Sequence, residues 1–341
     1  LEFLADYAGF LIRLLSVALI VLLILSVIAS GKNKQRKAGH LSITKLNEGY
    51  QSMKSELSKQ LFDKKTLKKQ HKEEKKHKKE QHKKAHHGDV KKRVYVLDFD
   101  GDIKASAVQS LREEITAVLS VATANDEVVV RLESPGGVVH GYGLAASQLQ
   151  RVRDKGIPLT VTVDKVAASG GYMMACVADK IVAAPFAILG SIGVVAQVPN
   201  IHRLLERNTI DVELHTAGKY KRTLTMLGEN TEEGREKFKQ DLEDTHALFK
   251  RFVSNNRPVL DIEAIATGET WYGTEALDNK LADAVMTSDT YLEQFYAEFD
   301  VLQVSFREPK ALTERLGLSV LSALEQKATV WLSKVLNHRG F

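Results

Sequence analysis

From residue 94 onward, short apolar runs alternate with longer stretches of helical spacing, and this alternation constrains the fold more than any other feature. VYVLDF (94–99), EVVVRL (127–132) and LTVTV (159–163) are too short for stable helices and rich in β-branched residues, so they read as buried strands. Between them, residues 111–119 and 143–152 repeat apolar side chains at helical intervals. Strand–helix–strand alternation predicts an α/β fold, a parallel sheet with crossover helices. Further helices are expected at 231–255, 262–266 and 274–277, and a strand-like piece at 212–214. The uncharged stretch IVAAPFAILGSIGVVAQV (181–198) is long enough to resemble a membrane span. Pro185, Gly190 and Gly193 punctuate it, so it reads as short β-like pieces of buried core.

Ahead of this region the texture is different. LLSVALIVLLILSVIA (14–29) carries no charge, and with Leu11, Ile12 and Arg13 it reaches the roughly 17–25 residues a membrane-spanning helix needs. A cleaved signal peptide competes with this reading. Acidic Glu2 and Asp6 and the lack of a clear A-x-A site favour a retained anchor. Lys32, Lys34, Arg36 and Lys37 follow at once, and the positive-inside rule places such a cluster, and the domain behind it, in the cytoplasm. Residues 54–93 are dominated by Lys, Glu, Gln and His, as in KKQHKEEKKHKKEQHKKAHH (68–87), and cannot bury a core. They read as a helical or disordered spacer drawn to anionic headgroups by roughly 1 kcal/mol per lysine near the surface. The net charge of +5 therefore belongs to a segment and not to a binding face. Nucleic acid is not an expected partner, because the lysine-rich run 68–87 has no aromatic residues for base stacking.

These readings divide the chain into a membrane anchor (1–31), a basic spacer (32–93), a main domain (94–295) and a C-terminal helical extension (296–341). The extension has amphipathic spacing at 316–336. A single cysteine, Cys176, excludes an intramolecular disulfide framework and a cysteine-based zinc site.

The chemistry is expected at DKVAASGGYMMAC (164–176), where Ser169 stands between two alanines and two glycines. An apolar strand that breaks at small residues and enters a helix lifts its turn residue clear of the sheet. The helix N-terminus brings unpaired N–H groups and partial positive charge to that point. Such geometry suits a nucleophile beside an oxyanion site, although a tight packing corner would use the same residues. SPGG (134–137) follows the preceding strand, so the N–H groups of Gly137 and Gly170 can face one oxyanion. A serine needs a base. His140, His202, His215 and His246 lie in no recognisable triad motif, whereas AGKYKR (217–222) offers Lys219 and Lys221. A lysine serves as base when an apolar site holds it neutral.

SPGG, VAASGGYMMA (166–175), APFAILGSIGV (184–194) and AGKYKR, in this order, resemble the S49 family of serine–lysine peptidases. That is the signal peptide peptidase A group within the Clp/crotonase superfamily. The lysine-rich spacer and RLESPGGVVHGYGLAASQLQ (131–150) bring the match close to an inner-membrane branch of the family. It covers about residues 94–290 and the anchor. The resemblance implies Ser169 as nucleophile, Lys221 as general base, Ser191 as the serine that orients the base, and Gly137 and Gly170 as oxyanion donors. It also implies a homo-oligomeric ring, peptide or protein substrates with apolar side chains, a bacterial inner-membrane location compatible with either face, and no metal or cofactor. No GxxxxGK[ST] motif is present, so substrates are expected already unfolded. One departure is KLAD (280–283), where the family has Gly-Leu-Val/Ile-Asp. A crotonase-type acyl-CoA enzyme and a catalytically silent membrane scaffold stay open as alternatives.

Overall fold

The computed structural model describes residues 39–63 and 91–307, with a few positions between 65 and 72. The expected anchor, most of the lysine-rich spacer and residues 308–341 lie outside the described residues. Among the described residues no helix is long and apolar enough to cross a membrane.

The centre is a sheet whose strands come from distant parts of the chain. In chain order they are β1 (His40–Lys45), β2 (Arg93–Asp100), β3 (Glu127–Glu133), β4 (Leu159–Val163), β6 (Lys180–Ala183), β9 (Ala284–Val285) and β10 (Asp300–Arg307). Their spatial order is β1-β10-β2-β3-β4-β6-β9. The pairings from β10 across to β9 are parallel, with Val94 opposite Glu127 and Val128 opposite Leu159.

Period-two alternation decides which side chains enter which core. In β2, Tyr95, Leu97 and Phe99 face the larger core, while Val94 and Val96 face the smaller one on the other side of the sheet. The larger core is closed by α2 (Val108–Leu119), α3 (Val139–Asp154), α4 (Gly170–Ala175) and α6 (Glu232–Asn256). These supply Leu111, Ile115, Leu149, Tyr172 and Phe249. Full burial of each such side chain is worth roughly 1.5–3 kcal/mol. Helix α6 begins where Thr231 accepts a hydrogen bond from the Gly234 N–H at 3.1 Å. At its other end buried Arg257 donates to both oxygens of Asp283, and to the Lys280 carbonyl at 2.7 Å.

The smaller core is covered by α9 (Ser288–Glu293), through Tyr291 and Leu292, and by the start of α1 (Leu46–Leu61). The Asn47 side chain ties α1 to the sheet by donating to the Tyr296 and Phe299 carbonyls and accepting from the Val301 N–H.

A second, three-stranded sheet matters most for function. Its strands are β5 (Val166–Ala168), β7 (Ile188–Gly190) and β8 (Thr270–Tyr272). β5 pairs parallel with β7, and β7 antiparallel with β8. The remaining short helices are α5 (His202–Arg207), α7 (Ile262–Ile265) and α8 (Gly273–Asp278).

Several expectations are corrected here. The segment taken as spacer, 32–93, contains β1 and α1, both joined to the main sheet through residues near position 300. Part of the expected helical extension, 296–341, is strand β10. The strand-like piece at 212–214 is exposed irregular chain. The apolar run 181–198 is core only as far as Ile192. Beyond it Val195 is 91% exposed, because that segment leaves the body.

Candidate active site

Ser169 does not follow β4 directly, as the sequence reading expected. The chain turns at Asp164 and Lys165, crosses to the second sheet as β5, and only then reaches Ser169. Ser169 has φ 52° and ψ −118° and is the N-cap of α4. A side chain with positive φ is uncommon outside strained functional turns. Its carbonyl accepts from the Met173 N–H at 2.9 Å, and its N–H donates to the Gly190 carbonyl at 2.8 Å. Its side chain makes no capping hydrogen bond, so the hydroxyl is not consumed by the helix. The residue is half-buried and reachable.

The Ser-Pro-Gly-Gly loop lies against this turn. Gly136 has φ 91°, and a Cβ there would sit 2.7 Å from Ala168 O, Gly170 N and Ser169 Cβ. Only glycine lets the two loops approach this closely. Gly137, next to it, is exposed. Gly170 is the first residue of α4, so its N–H has no acceptor within the helix. Among the described residues neither the Gly137 nor the Gly170 N–H donates to a backbone carbonyl outside a helix or strand.

Ser191 is brought beside Ser169 by strand register. Ala168 pairs with Gly190, and each strand then ends in a serine with φ 52°. The Ser191 N–H donates to the Glu269 carbonyl at 2.6 Å. Helix α6 braces the same loop, with the His246 ring nitrogen Nε2 3.1 Å from the Ile192 carbonyl.

Lys221 is elsewhere in character. It lies in an exposed lobe, whose neck is closed where Asn200 donates to the Thr225 and Gly228 carbonyls. The Lys221 side chain makes no hydrogen bond or ion pair among the described residues, and none joins it to Ser169 or Ser191. Its neighbour Lys219 is committed: Nζ lies 2.7 Å from Glu233 Oε1, which holds that ammonium protonated well above its ordinary range. Of the two lysines, Lys219 is thus the ion-paired one. None of the four histidines of the domain hydrogen-bonds Ser169, and His215 is paired with Glu213 at 3.1 Å.

Cys176, on the far side of α4, is fully buried, and burial pushes its thiol up to about 12, which leaves it unreactive. Among the described residues no group of histidine, cysteine and carboxylate side chains is arranged to hold a metal ion. A cleft of about 390 Å³ lined by Thr116, Leu119, Arg151 and Lys155 holds none of the expected site residues; it lies at the C-terminal ends of α2 and α3. The sequence reading gave no site role to Ser134 or Tyr142 and took Gly136 only as part of SPGG; Gly136 and Tyr142 border Gly170, and Ser134 borders Gly171. Ser134 and Gly136 stand inside the recognised SPGG run. Tyr142 carries no motif and becomes visible only when α3 is placed.

The profile of Peptidase family S49 N-terminal matches residues 2–149, and that of Peptidase family S49 matches residues 151–301. The chain is 52% identical to a probable protease SohB of Haemophilus influenzae, over 93% of this chain and 92% of that one. It is 49% identical to a probable protease SohB of Buchnera aphidicola subsp. Schlechtendalia chinensis, over 86% and 99% of the two chains. A third such protein, from Buchnera aphidicola subsp. Acyrthosiphon pisum, shares 58% identity over 69% of this chain and 70% of that one. On profile and identity alike, the chain belongs to peptidase family S49, among the SohB proteases.

Proposed function

We propose that the protein is a membrane-anchored serine endopeptidase that cuts unfolded or membrane-derived peptides without ATP. The observation that carries this reading is the corner at Ser169: a left-handed serine at a helix start, pressed against a Gly-Gly loop in which, among the described residues, the Gly137 N–H meets no backbone acceptor outside a helix or strand. In the proposed reaction neutral Lys221 takes the Ser169 proton as Oγ attacks the peptide carbonyl. The N–H groups of Gly137 and Gly170 hold the oxyanion. Ser191 aligns the lysine amine. Protonated Lys221 then gives its proton to the leaving amine, and water releases the acyl group from Ser169.

A lysine in open water is protonated and a poor base. Lys221 is exposed in the single chain, so the reading includes a homo-oligomeric ring in which packing of the lobe against a neighbouring copy desolvates it. The expected anchor at 14–29 would hold the ring at the bacterial inner membrane. By the positive-inside rule the basic cluster after it favours the cytoplasmic face for the domain, while the resemblance is compatible with either face.

A serine-directed acylating probe tests the centre of the proposal. It should label Ser169 in the intact protein. Ser169→Ala should abolish labelling, and both Ser169→Ala and Lys221→Ala should lower peptide hydrolysis by about 10³-fold or more. Full activity in Lys221→Ala would reject the pair. The rate should also climb from neutral to alkaline pH as the base sheds its proton.

A further inference from the structure

Ser134 and Tyr142 have no step in the proposed reaction, yet both are fully buried beside it. Their hydrogen bonds have a fixed direction. The Asp102 carbonyl can only accept, so the single phenolic proton of Tyr142 goes to it, at 2.8 Å. The Ser134 hydroxyl, 2.6 Å from the phenol oxygen, therefore donates its own proton to Tyr142. The lone pairs of Ser134 Oγ are left to accept, and the Gly136 N–H donates to them at 3.1 Å. Gly136, Ser134, Tyr142 and Asp102 thus form a row in which each group donates to the next. The row is anchored at Ser134, whose N–H donates to the Val166 carbonyl and whose carbonyl accepts from the Ala168 N–H. Those two residues bound β5, the strand that delivers Ser169.

The Tyr142 ring has a separate contact. A Cβ on Gly170 would lie 2.4 to 2.8 Å from three atoms of the Tyr142 side chain, so the start of α4 rests directly on the ring. Tyr142 therefore touches both halves of the oxyanion corner. Its ring supports Gly170, and its hydroxyl, through Ser134, holds the turn at Gly136 that aims Gly137. Burial raises the phenol above its ordinary range, so the proton stays in place at the alkaline pH where a lysine base works.

We propose that Tyr142 and Ser134 are positioning residues that fix the separation of the Gly137 and Gly170 N–H groups, an inference that rests on the peptidase reading above. An oxyanion site earns its effect by fitting the tetrahedral adduct and not the planar substrate. A loosened row therefore slows chemistry and leaves substrate binding alone.

Tyr142→Phe keeps the ring and removes the hydroxyl; Ser134→Ala removes the middle of the row. Both are to be assayed as full chains with a fluorogenic peptide that the parent turns over, and with a peptide aldehyde whose serine adduct carries the oxyanion. We expect kcat to fall about 10- to 100-fold in each, with KM within about twofold. Aldehyde binding should weaken in step with kcat. The double variant should be no slower than the worse single one, because both cut the same row. Unchanged kcat in folded variants overturns the proposal. So does a loss that follows KM and thermal stability but not aldehyde binding. Should Tyr142→Phe fail to fold, Ser134→Ala decides by the same measurements. A parent that neither cleaves peptide nor takes the acyl label at Ser169 fells the peptidase reading, and this one with it. An active parent with unaltered variants fells this one alone.

Discussion

At the scale of single residues, the informative positions are those that hold a conformation their side chains disfavour. Ser169, Ser191 and Lys280 all have φ between 52° and 61°. At the two serines the strain is tied to the candidate chemistry. At Lys280 nothing comparable is gained: the residue is exposed, just past the end of α8, with its N–H on the Leu277 carbonyl and its own carbonyl on Arg257. Those backbone contacts survive a change of side chain, and the resemblance expects glycine there. Lys280→Gly should raise stability by about 1 kcal/mol, read from a urea melt. A melt that does not shift, or shifts downward, would mean the left-handed turn costs this lysine nothing. The residue scale was also where the sequence was most readable. Ser169, Gly137 and Gly170 stand out in the sequence as small residues at strand ends, although a tight packing corner would use the same residues. Tyr142 does not, because a buried tyrosine on a helix looks the same in the sequence whether its hydroxyl holds a loop or merely fills space.

At the scale of elements, helices were legible and short strands were not. Residues 111–119 and 231–255 repeat over several turns, and the helices found, Val108–Leu119 and Glu232–Asn256, differ by a few residues at their ends. β5, β7, β8 and β9 have two or three residues each, too few for any period to show. The pairing of β5 with β7 places Ser169 beside Ser191, so the register of the site could not be read in advance. One contact between elements lends itself to measurement. Glu114 on α2 is buried and accepts from the Phe306 N–H of β10 with one oxygen, at 2.7 Å, while its other oxygen has no partner among the described residues. Burial, with a small addition from Asp98, raises its carboxyl to about 7. Between about pH 4.5 and 7 the folded protein holds a proton there that the unfolded chain has released. This contribution to stability is therefore greatest at low pH and is lost as pH rises through 7. Glu114→Gln keeps the acceptor for Phe306 and cannot ionise. It should stabilise the protein at pH 8 by on the order of 1–2 kcal/mol and change little near pH 4.5. Denaturant melts at the two pH values would show it, and equal effects at both would contradict a titrating Glu114.

At the scale of the whole molecule, the lobe that carries Lys221 is the least self-sufficient part. Val195, Leu204, Ile210, Leu214 and Met226 are each more than half exposed along it, more apolar surface than a solitary chain usually shows in one segment. The lobe is nevertheless tethered: Lys219 pairs with Glu233, and a Cβ on Gly234 would lie 2.4 Å from the Thr223 carbonyl. If neighbouring copies cover this surface and dry Lys221, hydrolysis per chain should fall on dilution, in step with the sedimentation coefficient. Constant specific activity in a preparation that sediments as single chains would remove the ring from the mechanism. No periodicity in residues 194–230 foretold this exposure, because a segment that packs little of itself into the chain's core has no buried face to pattern it.

The outermost strand carries one more consequence. β1 occupies the flank of β10 and so covers the hydrogen-bonding rim that β10 would otherwise turn to solvent. The chain shields that rim with its own leading portion. A protease that nicked the protein between β1 and β2 would leave the corner at Ser169 untouched, yet once the freed piece drifted off it would bare a sticky margin for the next molecule to zip onto.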